Sequence, residues 1–201
     1  MDYFIKWIEV KGLANIKDVD VKKIVWKNII TRFGVPRALI SNNRLQFSSK
    51  IFQEYCGSLR ITNRCSSHAY PQSNGQAKVT NKTIVNGLKK RLKGAKGNWV
   101  EELPNVLWAY RTTPRRSTGE TPYSMTYGIK EIILIEVSLS SMKVVDFTLS
   151  NNDKYMIGNQ DALEEQREMV SVQLGNYQQK LAQGYNKKVR PREFVPRDLV
   201  L

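Results

Sequence analysis

The stretch RALISNNRLQFSSKIFQEYCGSLRITNRC, Arg37 to Cys65, decides the fold class. Its opening RALI forms a short apolar strand that delivers Asn42 at its C-terminal end, where open α/β sheets build their sites. Ser48 or Ser49 then caps a helix whose buried face is Phe52, Tyr55, Cys56 and Leu59, so Cys56 is expected in the core rather than as a reactive thiol. RITNRC returns as a strand. Strand, helix and strand in this order mark an α/β fold.

Upstream, Val21, Val25, Ile29 and Phe33 recur every four residues with Ile24 on the same face, and Gly34 and Pro36 supply a stop. That pattern predicts an amphipathic helix starting at Asp18 or Asp20. Before it, Tyr3 to Val10 alternates apolar and polar groups, which predicts a strand. Downstream of a polar loop from Ser66 to Gly75, a long helix is expected from Gln76 to about Lys93. Its inward residues are Val79, Ile84, Leu88 and Leu92, and the rest is mostly cationic. A further helix follows, faced by Trp99, Leu103, Val106, Leu107 and Tyr110 and interrupted or started at Pro104. Trp99, Trp108 and Tyr110 are expected in the core, not as base-stacking groups. From Ile129 to Asp153 periodicity fades into a linker or surface strap. Leu163, Val170, Leu174, Tyr177 and Leu181 then predict a helix over Asp161 to Tyr185 in need of a partner surface. The tail groups Lys187, Lys188, Arg190, Arg192 and Arg197 in one stretch suited to tracking phosphates.

Across 201 residues, 32 Lys and Arg against 18 Asp and Glu leave a net charge of +14, which makes a polyanion, nucleic acid first, the leading partner. Cys56 and Cys65 fall in no CxxC pair, so neither a zinc ribbon nor a disulfide framework is expected. His68 alone builds no metal site and is expected to be a polar loop residue. No apolar run reaches the length of a membrane span and MDYFIKWIEV is no signal peptide, so a soluble, intracellular protein is expected.

Three landmarks stand in chain order: Asp2, Asn42 and Lys78, with 35 residues between the last two. Together with SNN, HAYPQSNGQ, LWAYRTTP and STGETPYSMTYG, they give a chain that closely resembles, over nearly its whole length, the integrase catalytic core of gypsy-type long-terminal-repeat retrotransposons. The resemblance implies a ribonuclease H-like α/β fold, a mixed sheet flanked by helices. In that family two Asp and a Glu hold a pair of Mg²⁺ ions for in-line phosphoryl transfer in DNA integration. Asp2 matches the first Asp. Asn42 stands where the second belongs, Arg44 replaces the Gly of the same loop, and Lys78 stands where the Glu belongs. Two of three carboxylates are thereby replaced.

An Asn offers one neutral carbonyl oxygen. A Lys ammonium offers none, and it repels a cation by about 4 kcal/mol per unit charge at 4 Å for an effective dielectric near 20. A catalytically inactive copy, a pseudoenzyme with no bound metal, is the expectation. Its nucleic-acid contacts are expected at Gln72, Asn74, Gln76, Lys78, Lys82 and Lys89, on DNA and with little sequence preference. The resemblance also implies a nuclear location and a possible homo-oligomer. It divides the chain into a core over 1–128 with its first central strand truncated, a linker over 129–153, a helical extension over 154–190, and over 191–201 the start of a truncated C-terminal β domain. Two alternatives accompany this reading. One is an active integrase fragment using substitute ligands such as Asn43 or Glu54. The other is a protein-interaction module docking through the helix around Val170 to Tyr185.

Overall fold

A computed structural model describes residues 1–66, 74–92, 99–131, 148–187 and 189. The chain divides into two compact units, Met1–Thr112 and Thr113–Leu201.

In the first unit the N-terminal segment leads to α1 (Asp18–Ile24), a π-helical segment (Val25–Ile30) and α2 (Thr31–Phe33). Then come β1 (Ala38–Asn42), α3 (Leu45–Ser48), α4 (Lys50–Ser58), β2 (Thr62–Ser66), α5 (Gly75–Arg91) and α6 (Trp99–Arg111). β1 and β2 pair in parallel, Ala38 with Thr62 through Asn42 with Ser66, as the strand–helix–strand reading of Arg37 to Cys65 requires. Ser49 caps α4, its Oγ accepting from the Phe52 N–H at 3.3 Å. Phe52 and Cys56 pack with Val21, Val25 and Ile61 into one core cluster, and burial pushes the Cys56 thiol up.

The π segment explains the four-residue repeat of the first helix. At about 100° per residue, apolar side chains every four residues drift by about 40° a step around an α-helix. The wider π turn takes up that drift and keeps Val25 buried and Ile29 packed on the same cluster as Val21.

A second cluster joins Ile8 to Ile84 of α5 and Leu103, Val106 and Leu107 of α6, with Val10, Leu88 and Tyr110 against it. Close approach of the two helices uses Gly87, where a Cβ would stand 2.9 Å from Cγ1 of Val106. Three expectations are corrected in this unit. Tyr3–Ile5 form a turn and no strand covers Tyr3–Val10; Trp7 and Ile8 are both buried, which an alternating strand forbids. Among the described residues the sheet is the parallel pair β1 and β2. Val79 is 67 % exposed, because it stands five positions before Ile84 and an α-helix turns it away; Thr80 takes the inward place. Trp99 and Trp108 are partly exposed rather than core, while Tyr110 is packed as expected.

The second unit holds α7 (Pro122–Tyr127) and α8 (Leu149–Asn186). α8 starts earlier than the Asp161 expected from periodicity and takes in the last residues read as linker; residues 132–147 of that linker lie outside the described residues, as does nearly all of the basic tail beyond Lys187. The sequence reading missed α7, although Thr121 at its N-cap, Pro122 at its first position and Gly128 at its end spell a start and a stop. Met125 is buried, its carbonyl accepts from the Arg167 guanidinium of α8, and Val170 is buried as well.

Gly128 sits at φ +73, and a Cβ there would stand 2.7 Å from the Asn159 carbonyl oxygen; Gly119 has the same φ with its nearest atom at 3.8 Å. Gly119→Ala is therefore expected to cost about 1–2 kcal/mol, the left-handed backbone alone. Gly128→Ala is expected to cost more, since α7 must also move off α8. Thermal unfolding of the two variants side by side checks the order; equal losses would contradict the close α7–α8 contact.

Candidate nucleic-acid interface

Asn42 ends β1, opposite Ser66. Its Oδ1 is buried and accepts no hydrogen bond among the described residues, an arrangement that costs about 1–3 kcal/mol when nothing else offsets it.

Asp2 folds its own neighbourhood. Its Oδ1 accepts from the backbone N–H of Phe4 at 2.9 Å and of Ile5 at 2.7 Å, and its N–H donates to the Trp7 carbonyl at 2.8 Å. Within this closed loop Lys6 adopts φ +61. Its Nζ donates to the Tyr3 carbonyl and to Oε1 of Gln76 at 2.8 Å, and lies 4.4 Å from the Tyr3 ring centroid. Burial lowers the Lys6 amine below its ordinary value, with the nearby Asp2 charge acting in the opposite direction. The Thr80 hydroxyl meets the Met1 sulfur at 3.1 Å. Gln76 and Thr80 thus tie the N-terminal loop to the inward face at the start of α5.

A second tether follows at Glu9. Its Oε1 accepts from the Trp7 indole N–H at 2.9 Å, from Arg32 at 2.7 Å and from Arg111 at 3.1 Å. Arg111 also donates to the Ile8 carbonyl at 2.8 Å and stacks over the Trp7 ring at 4.3 Å. These contacts fasten the segment to α2 and α6. The sequence reading missed Lys6, Glu9, Arg32 and Arg111. No local pattern announces them, since their partners lie 70, 23 and 102 residues away.

α5 presents two opposed faces. Thr80 and Ile84 are buried, whereas Lys78, Lys82 and Lys89 are exposed. At about 100° per residue the three lysines fall within about 40° of one another and about 160° from the buried pair. They form one cationic stripe open to solvent. Lys90 and Arg91 follow in the last turn, where Arg91 meets Glu102 of α6 at 3.3 Å. Asn74 occupies the N-cap position without a side-chain capping bond. Gln76 lies on the other side, held by Lys6 as described. Gln72 and His68 are outside the described residues.

The chemistry available at the landmark positions is limited. Among the described residues, no group of three or more His, Cys, Asp or Glu side chains is placed to hold a metal ion. Glu54, a candidate substitute ligand, lies exposed on α4 with Lys50 at 3.9 Å. No helix among the described residues is long and apolar enough to cross a membrane.

No protein-family profile matches the chain. It is 28% identical over 200 residues, 100% of its own length, to the Gag-Pol polyprotein of avian reticuloendotheliosis virus, and spans 16% of that polyprotein. Its backbone superposes on the magnesium-bound integrase catalytic core domain of HTLV-2 in trimeric form with a TM-score of 0.51 at 22% identity. That match covers 61% of this chain and 78% of the other. The chain has the fold of a retroviral-type integrase core. A chain in the structure of the simian T-cell lymphotropic virus intasome in complex with the PP2A regulatory subunit B56 gamma matches at a TM-score of 0.56 and 19% identity, covering 61% of this chain and 45% of that one. In this integrase-type core, β1, α4, β2 and α5 are the elements that bring Asn42 and the lysine stripe into one unit.

Proposed function

We propose that this chain is a retrotransposon-derived integrase core-like protein that binds nucleic acid through α5 and does not carry out metal-dependent polynucleotidyl transfer. The observation that carries the reading is the lysine stripe. Lys78, Lys82 and Lys89 share one exposed face of a helix anchored on its other side. Such a row suits successive phosphates of a polyanion, with a strong salt dependence and little sequence preference. The +14 charge of the whole chain strengthens the attraction.

Absence of transfer chemistry is supported by the donor set. A pair of divalent ions needs several anionic oxygens held together. Asp2 has one carboxylate oxygen committed to two backbone amides, Asn42 has a neutral carbonyl, and Lys78 carries a positive charge on the exposed face. These residues do not fit the ion pair. Lys78 therefore changes sides, from a position suited to holding a cation to one suited to holding a phosphate.

One observation favours the second reading, an active fragment. The buried Asn42 Oδ1 accepts no hydrogen bond among the described residues, and an acceptor in that state is open to a cation. A strand-transfer assay on a labelled DNA end, in Mg²⁺ and in Mn²⁺, separates the two. The expected result is no joined product from the unaltered protein, while duplex DNA is still retained in a binding assay. Joined product that depends on Asp2 would overturn the proposal and establish the second reading. In parallel, Asn42→Asp with Lys78→Glu is expected to weaken DNA binding by removing a stripe lysine and adding negative charge.

A further inference from the structure

α8 runs for 38 residues, about 57 Å, while α7 has only six. The contacts that α7 and its flanking turns make on α8 fall between Asn159 and Gln173: Gly128 against Asn159 and Leu163, the Met125 carbonyl on Arg167, and Gly119 towards Gln173. Past Gln173 the helix continues for more than three turns. There Leu174 and Tyr177 are partly covered, while Leu181 and Tyr185 are 56 % and 72 % exposed. A helical piece of this length is marginal without packing.

Its side chains follow a definite period. Leu163, Arg167, Val170, Leu174, Tyr177, Leu181 and Gly184 succeed one another at steps of four and three, three heptads of a coiled-coil seam. Leu163 and Arg167 are engaged by α7 and the turn that ends it, and Val170 is buried. The remaining four form a seam with nothing of comparable length beside it among the described residues.

We infer that this segment pairs with the same segment of a second copy, antiparallel and centred near Gln179. Three features select that occupant and direction. Antiparallel pairing sets Tyr177 against Leu181 and Leu174 against Gly184, large against small, whereas parallel pairing stacks Gly184 on Gly184 and leaves that layer empty. It also brings Lys187 of one copy opposite Ser171 of the other, within about one turn of its Glu168, whereas parallel pairing sets each Lys187 beside its own copy. Between Val170 and Asn186 the helix carries the single charged residue Lys180, so two chains of net charge +14 meet there on a nearly neutral strip. A seam this short buries an area at the low end of interfaces, below about 1,200 Å², so the dimer is weak and forms as concentration rises. This inference is independent of nucleic-acid binding by α5.

The test uses the full chain carrying Cys65→Ser to remove the exposed thiol. Sedimentation equilibrium is expected to show a monomer–dimer equilibrium that Leu181→Lys weakens by about tenfold or more, the change being at an exposed position that leaves helix content intact by circular dichroism. Tyr177→Cys and Leu181→Cys proteins, oxidised mildly, are expected to cross-link as a mixture and much less when each is alone. A chain that stays monomeric, a dimer indifferent to Leu181→Lys, or single variants that cross-link as well alone as mixed would each overturn the inference.

Discussion

Replacing Lys78, Lys82 and Lys89 together with alanine is expected to flatten the dependence of log K on log salt for duplex DNA by about 2.7, at about 0.9 per phosphate contact. At about 0.1 M salt that change corresponds to about 500-fold in affinity. Helix content should not change, because all three side chains are exposed and alanine is a good helix former. The matched control removes Lys23, Lys27 and Lys50, three exposed lysines on α1, the π segment and α4. Equal charge is lost, so any effect of the overall field is the same. A fluorescence-anisotropy salt titration of both variants decides between a local interface and a diffuse attraction. Matching slopes for the two would contradict the α5 interface.

Phe52→Ala is expected to have the largest effect on stability. Phe52 is 2 % exposed at the centre of the cluster that joins the first helix, α4 and β2. It meets Phe47 edge-on at 6.1 Å and Tyr55 at 6.2 Å between ring centroids. Truncation leaves a cavity lined by Val21, Val25, Cys56 and Ile61, at a cost of about 3–5 kcal/mol. Against a domain stability of about 5–15 kcal/mol, that removes a large part of the margin. Phe52→Leu fills most of the space and should lose roughly half as much or less. Urea unfolding of the two variants, followed by tryptophan fluorescence, checks the order. A loss below about 1 kcal/mol for Phe52→Ala would mean that the cluster is not the core of the unit.

The parts legible in the sequence are those with local causes. Ser49 before Phe52 signalled α4, and RALI and RITNRC are short apolar runs that became the paired strands. The cationic stripe of α5 followed from spacing alone once the segment was read as a helix. What escaped was fixed by distant partners or by turn chemistry. Tyr3, Ile5 and Trp7 mimic strand alternation, yet the Asp2 carboxylate folds the chain back on itself and Lys6 turns through a left-handed conformation to reach Gln76. Glu9 looked like a solvated charge and is instead the meeting point of Trp7, Arg32 and Arg111. Such contacts depend on the finished packing of α2 and α6. The π segment left a trace in the strict repeat of four, a period no α-helix keeps on one face.

The landmark positions separate two levels of likeness. Backbone resemblance to integrase cores persists at low identity because β1, α4, β2 and α5 still pack on an apolar interior. The proposed chemistry rests on two positions without a carboxylate: Asn42 is neutral, and Lys78 carries a positive charge on an exposed helix face that suits a phosphate.

The most direct measurement is a manganese titration of the unaltered protein followed by electron paramagnetic resonance of the free ion in solution. The free-ion signal is expected to keep its full amplitude with the protein present. Loss of two ion equivalents per chain, restored by Asp2→Ala, would contradict it.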